Sequence, residues 1–382
     1  MAVYKLFPVK DATLYSGYPT MNTGLDSIIE ATTDFKIGSP IQQEGDFPQA
    51  SRFLVEFDLD EIYNVLDVIA SGFSTTSFLR VYSANARGLT STTTVLITAI
   101  GQNWNMGSGE YLIDPLVVNG CSWDWRLTSG SGVWLTDPSV AGFDPTAGIT
   151  GSYSGLNNQG GGAWYTASVA SQSFDYYSTL DINTNVTEFI TNWSSSIFTN
   201  YGFIVRQSES QEFIDDINQQ TELKFFSRDT NTIYPPQLEI KWDDSIFNTG
   251  SSDTTELITT QALLSLSNNK AEYYPEEIAK LKINAIEKFP ARTFLTSSGY
   301  TKNFYLPRDS SLYAIKDSKT NEYVIDFDPQ HTKISADEEC SFFNVYMNGL
   351  EPERYYTTLI QININGETKI FDTDLEFKVV EG

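Results

Sequence analysis

The chain has 382 residues, a formal net charge of −25 and two cysteines; 40% of it is hydrophobic and 14% aromatic. That length exceeds one ordinary domain, and the apolar content builds sizeable cores, so global disorder is excluded. The charge argues against nucleic acid and anionic lipid as partners, because both would repel it. Cys121 and Cys340 are too far apart in sequence and too few for a disulfide framework or a paired-cysteine zinc site, and they read as small buried hydrophobes.

The chain opens on "FPVKDATLYSGYPTMNTGLDSIIEA", polar and turn-rich before a strand-like end. No apolar run of leader length precedes it and no window approaches a membrane span, so synthesis in a cytoplasm without leader-directed export is expected. "RFLVEFDL" predicts a strand with Phe53, Val55, Phe57 and Leu59 on one face and Leu54, Glu56 and Asp58 on the other. "FLRVYSA", "TTTVLITAI", "LKFFSR" and "PQLEIKW" extend the series of β-branched and aromatic runs. Residues 101–165 break the pattern with Gly, Ser, Asn and Trp, as in "CSWDWRLTSGSGVW", and read as long loops on a β scaffold, the "NQGGGAWY" glycines as a flexible one. In "LDINTNVTEFITNW" the residues Val186, Phe189, Ile190 and Trp193 form one helical stripe, with Asn185 and Glu188 as an expected capping box.

A boundary falls in "DDSIFNTGSSDTTE", polar and rich in Gly and Ser. Strand runs resume beyond it: "AKLKINAIEKF", "NEYVIDFDP", "CSFFNVYMNGL" and "LEFKVVEG". "NINGETKI" carries the Asn-Gly signal of a hairpin. "GLEPERYY" resembles the tyrosine-corner entry of immunoglobulin or fibronectin-like sandwiches, with Tyr355 or Tyr356 starting the strand.

Catalytic signals are weak. His331 is the single histidine and reads as a surface or capping residue. There is no nucleophile elbow, Walker loop or His-Glu-x-x-His motif, and acidic pairs such as those in "FDLDE" and "WDDS" are expected by chance in so acidic a chain. Binding is the stronger reading. Sugars lay their apolar faces on exposed aromatic rings while polar groups take the hydroxyls. Trp104, Trp123, Trp125, Trp134, Trp164 and Tyr165 gather in the loop-rich middle and are the candidate carbohydrate platform. The competing expectation is that these rings fill the sandwich ends and staple the loops, since large aromatics are highly buried on average.

Taken in order, "DATLYSGYPTMNTGLDSIIEA", "SRFLVEFDLDEI", "FLRVYSA", "LDINTNVTEFITNW", "NYGFIVRQ" and "LKFFSRDTNTIYPPQLEIKW" resemble the DNRLRE family of jelly-roll domains, which are similar to carbohydrate-binding modules. The resemblance runs through the turn at Asn22, Thr23 and Gly24, the strand Arg52 to Leu59, the helix Asn185 to Trp193, the "N-x-G-F" stretch Asn200 to Phe203 and the ending Ser227 to Leu238. The fold expected is therefore all-β: a jelly-roll β-sandwich with one short helix over residues 1–245, a linker over 246–262, and an Ig-like or fibronectin-like β-sandwich over 263–382. Modules of this kind often hold a structural calcium ion, for which Glu30, Asp34, Asp243 and Asp244 are the candidate ligands; no other cofactor is implied.

The acidic, leaderless, multi-sandwich chain also looks like a structural component of a tailed-bacteriophage virion, and its C-terminal part like Ig-like domains of large phage structural proteins. This implies a non-enzymatic neck, tail or head accessory, made in the host cytoplasm. It would contact other virion proteins as a homo-oligomer or symmetric array, and a surface glycan through its jelly roll. The alternative is a carbohydrate-binding adhesin or module without enzymatic activity.

Overall fold

In the computed structural model the described residues are 2–34, 49–69, 73–136, 142, 144–151, 160–214, 216, 219–290 and 302–380. Strands β1 Ala2–Leu6, β2 Lys10–Tyr15, β3 Ile28–Asp34 and β4 Gln49–Glu56 lead into helix α1 Leu59–Val68. Strands β5 Thr75–Val81, β6 Ser83–Arg87 and β7 Thr93–Ala99 follow. The loop-rich middle holds the short strands β8 Trp125–Thr128, β9 Ser131–Val133, β10 Ile149–Thr150 and β11 Trp164–Tyr165. After them come β12 Ala170–Phe174, β13 Ile182–Asn185, helix α2 Thr187–Ser194, β14 Phe203–Gln207, the single-turn helix α3 Glu209–Glu212, β15 Glu222–Phe226 and β16 Gln237–Trp242. The C-terminal strands are β17 Ala262–Ser267, β18 Glu272–Tyr273, β19 Ile278–Glu287, β20 Ser311–Asp317, β21 Tyr323–Ile325, β22 Ser335–Ala336, β23 Ser341–Tyr346, β24 Arg354–Ile364 and β25 Glu367–Val379. The protein is all-β, with three helices among the described residues where one was expected.

The chain divides into two units: Leu6–Val68 with Ser77–Glu239, and Met1–Lys5 with Ile69–Thr76 and Ile240–Gly382. In the first, a large antiparallel sheet runs in the order β12-β7-β14-β4-β3-β15-β6, with β2 also beside β4. A second sheet contains β16, β5 and β13 in that order. Strand β4 explains why this sheet needs more than one core. Its residues from Ala50 to Val55 are all buried, so neither face meets water. Alternation puts Phe53 and Val55 on one face and Ala50, Arg52 and Leu54 on the other. Phe53 packs against Phe225 at 5.6 Å between ring centroids. Ala50 and Leu54 join a separate cluster with Trp104, Trp123, Trp134 and Trp164. The tryptophan-rich middle thus closes over one face of the large sheet.

Helix α2 forms where its stripe predicts, and Val186, Phe189, Ile190 and Trp193 are all buried. The expected capping box is not made. Asn185 Oδ1 accepts from the Thr187 amide at 3.0 Å, while the Glu188 carboxylate accepts instead from Ser168 Oγ at 2.6 Å. Glu188 is drawn off by a hydroxyl that is distant in sequence. The strand expected to reach Leu59 ends at Glu56: Asp58 accepts from the Asp60 amide at 2.8 Å and starts α1.

The second unit carries two sheets, β17-β19-β23-β22 and β18-β25-β24-β20-β21. Tyr313 and Phe343 stack in its core, 4.4 Å apart. Residues 246–262, expected as a linker, take part in this unit: Phe247 bridges to Ala336, Glu256 to Tyr305, and Leu257 is in the core. The Asn-Gly turn is where expected, with Asn365 and Gly366 both at positive φ between β24 and β25. The tyrosine corner is made by Tyr356, whose hydroxyl donates to the Glu351 carbonyl at 2.8 Å; Tyr355 lies 41% exposed. Both cysteines are free and buried.

Candidate functional site

The candidate aromatic platform lies mostly inside the first unit. Trp104, Trp123, Trp134 and Trp164 are each 5% exposed or less, so their rings have no face left for a sugar. Trp104 Nε1 donates to the Tyr201 carbonyl at 2.9 Å, and Trp134 Nε1 to the Ser122 carbonyl at 3.0 Å. Trp125 and Tyr165 are half-buried, and Tyr165 stacks on Phe198 at 4.2 Å.

The cluster is organised by Arg52, which is itself buried. Its Nε and Nη2 donate to the two carboxylate oxygens of Glu212 at 2.5 and 3.0 Å, and Nη1 to the Gly161 carbonyl at 2.6 Å. The guanidinium lies 4.8 Å from the Trp123 ring and 5.1 Å from Trp164, and Arg206 lies 4.3 Å from Trp164. A buried charge is tolerated only when paired and hydrogen-bonded, and the planar fork of Arg meets a carboxylate through two parallel bonds. Gly161 is needed at this point. It has φ +74°, and a Cβ there would sit 2.7 Å from Arg52 Nη1. The stretch Gly160–Ala163 is therefore packed core, not the flexible loop expected from its composition.

A second polar hub joins the opening turn to the same loops. Asn22 is fully buried; its Nδ2 donates to the carbonyls of Met106 and Cys121 at 2.7 and 2.8 Å, and its Oδ1 accepts from Gly109 N at 2.8 Å. Gly109 and Gly120 crowd it so closely that a Cβ would lie 2.2 Å from Asn22 O and 2.4 Å from Nδ2 respectively. Asn200 does similar work for the "N-x-G-F" stretch, donating to the Phe57 carbonyl at 2.8 Å and accepting from Gly202 N at 2.9 Å.

Two of the four candidate calcium ligands are already paired with lysines. Glu30 faces Lys224 at 3.0 Å and Asp243 faces Lys333 at 3.2 Å, so an ammonium group already sits against each. Glu30 belongs to the first unit and Asp243 and Asp244 to the second. The Asp34 side chain is outside the described residues. No group of three or more His, Cys, Asp or Glu is arranged to hold a metal among the described residues. His331 is more engaged than a surface residue: Nδ1 is 3.0 Å from Asp328 Oδ2, and Nε2 is 3.2 Å from Thr76 Oγ1.

One polar cavity of about 70 Å³ opens on the first unit and was not foreseen from the sequence. Strands β2, β3, β4 and β15 supply Tyr15, Glu30, Gln49, Glu222 and Lys224, and Tyr111 comes from the loops. The Tyr15 and Tyr111 rings meet at 4.9 Å, tilted by 44°. Lys224 Nζ lies between two carboxylates, 3.0 Å from Glu30 and 3.9 Å from Glu222. Burial pushes the Glu30 carboxyl up, opposed by Lys224. Burial also raises the Tyr15 hydroxyl well above its ordinary range, helped by the negative charge of Glu30 and Asp26 and opposed by the Thr13 side chain. The one signal in the sequence was the alternation of Glu222 and Lys224 with Leu223 and Phe225 along β15. No protein-family model matches the chain, and no curated protein matches it.

Proposed function

We propose that the protein is a non-enzymatic structural or accessory component of a tailed-bacteriophage virion, decorating its neck, tail or head. In this reading it is made in the host cytoplasm and works through contacts with other virion proteins, as a homo-oligomer or symmetric array. The observation that carries the reading is the buried Arg52–Glu212 pair enclosed by Trp123 and Trp164. The chain uses its scarce basic residues and large aromatics to lock long loops shut, which suits a rigid building block. The jelly-roll resemblance of residues 1–245 and the tyrosine corner of the C-terminal unit support two sandwich modules of the kind that dock and display. A net charge of −25 is consistent with partners that are neither nucleic acid nor anionic membrane.

The test is to label particles. An antibody to the purified chain is applied to density-gradient fractions of a culture of the source. Co-sedimentation with particles, and gold labelling at one fixed site in electron micrographs, is the expected result. Signal confined to soluble or cell-surface fractions would remove the virion reading. The second reading, a carbohydrate-binding module without enzymatic activity, is favoured by the polar cavity beside Tyr15 and Tyr111.

A further inference from the structure

We propose that strand β17 is the surface through which two copies of this chain associate, pairing antiparallel and edge to edge about a two-fold axis. The inference rests on the homo-oligomer part of the reading above and gives it an interface. Strand β17, Ala262–Ser267, ends its sheet and is paired with β19 alone among the described residues. Its free side is fixed by Ala285, which stands opposite Leu264. Ala285 turns its own backbone away from β17: its N–H donates to Asn303 Oδ1 at 2.8 Å, and its carbonyl accepts from the Phe304 amide at 2.8 Å. Antiparallel residues that face each other without exchanging bonds both point outward. Leu264 therefore points away from β19, and by alternation so do Ala262 and Leu266. Among the described residues the backbone N–H and C=O groups of these three have no partner.

Exposed edges are normally blunted by short length, charge, proline or a bulge. The other sheet ends of this unit are short: β18 and β22 have two residues each and β21 has three. Strand β17 has six, in unbroken register with β19, and its sequence ALLSLS holds no charge and no proline. The uncharged run extends from Leu257 to Asn269 in a chain of net charge −25. Over most of such a surface a second copy is repelled, and along this edge it is not. The strand is also complementary to itself. With Leu264 on the axis, Leu264 pairs with its own counterpart and Ala262 with Leu266 of the second copy, so all three outward residues find partners. On the inner side a small residue meets a large one at that second pair, and the two Leu264 side chains, each packed against its own core, cover one another. On the outer side Leu263, 52% exposed, lies opposite Ser265 of the second copy and diagonal to the second Leu263. A contact confined to one edge is small, so the dimer is transient, with Kd on the order of tens of micromolar, and an array of copies would strengthen it.

The experiment is sedimentation velocity of the full chain across a concentration series, with amide exchange followed at its two ends. A monomer–dimer equilibrium is expected. The amides of Ala262, Leu264 and Leu266 should exchange about tenfold more slowly at the high end, while those of Leu263, Ser265 and Ser267, already bonded to β19, stay slow throughout. Ser265→Lys sets two like charges diagonally across the axis at an exposed position, so dimerisation should weaken about tenfold with the melting temperature unchanged. Leu263→Glu should do the same. Mixing the two variants should restore a dimer, because positions 263 and 265 lie directly opposite across the axis. A chain that stays monomeric, exchange at Ala262, Leu264 and Leu266 that ignores concentration, a dimer that both variants leave intact, or a mixture that does not recover would each overturn the proposal. A monomeric chain that still labels particles would remove this interface and leave the virion assignment standing, so the two readings fail separately.

Discussion

Arg52 and Asp11 illustrate opposite ways of keeping a charge inside a β protein. Arg52 is matched on every side by Glu212, Gly161 and two indole rings. Arg52→Ala strands the Glu212 carboxylate and should lower stability by about 3–5 kcal/mol, measured by urea unfolding. Arg52→Lys cannot make the two parallel bonds and should also destabilise; a lysine variant as stable as the parent would show that the fork geometry is unimportant. Trp123→Ala should cost about 3–5 kcal/mol as a core truncation. An intact, equally stable variant would return Trp123 to the list of sugar-stacking candidates. Asp11 is buried with a single strong bond, from the Arg228 amide at 2.7 Å, and burial pushes its carboxyl up to about 7. A folded pKa above the unfolded value favours the protonated acid. Stability from this group is complete below about pH 4 and is lost as pH rises toward 7, by up to roughly 4 kcal/mol. Asp11→Asn should flatten the stability profile between those values, because its amide oxygen can still accept from Arg228. Glu30 and Glu56 are also raised by burial and slope the same way in both proteins, so the difference between the two curves isolates Asp11. Identical slopes in parent and variant would refute the assignment.

At the scale of single elements, local pattern was a good guide wherever neighbours in sequence did the work. The stripe of α2, the Asn365-Gly366 hairpin and the Glu351–Tyr356 corner are all short-range. Tyr356→Phe should cost about 1–1.5 kcal/mol through the lost corner bond. Tyr355→Phe should leave the melting temperature unchanged, and equal effects would mean the corner contributes nothing. Helix α1 was missed: Ile62 and Val65 are buried one turn apart, but the β-like run before them masked the change of period. The capping box failed for a different reason. Glu188 has a better partner in Ser168, and nothing at i−3 reveals a hydroxyl twenty positions away.

For the molecule as a whole, the division into units cuts across the linear order. Ala2–Lys5 belongs with the C-terminal unit, where Val3 enters the core and Tyr4 hydrogen-bonds with Asn348. Deleting residues 2–5 should therefore lower the stability of that unit, seen as faster amide exchange in β19 and β24, while β4 and β14 keep their protection. Loss of protection in the first unit instead would contradict the division. What the sequence by itself determined were the all-β class, the absence of common catalytic motifs, the burial of both cysteines and the positions of the locally encoded turns. These depend on composition, on periods of two and 3.6, and on residues a few positions apart. Only the tertiary structure decided that four tryptophans are core and that Arg52 finds Glu212, 160 positions away. It alone gathered Tyr15, Tyr111 and Lys224 at one cavity. A tryptophan amid glycines reads the same whether its ring faces water or a guanidinium group. Which one it meets is set by strand order, and long-range pairing leaves no periodic mark on the chain.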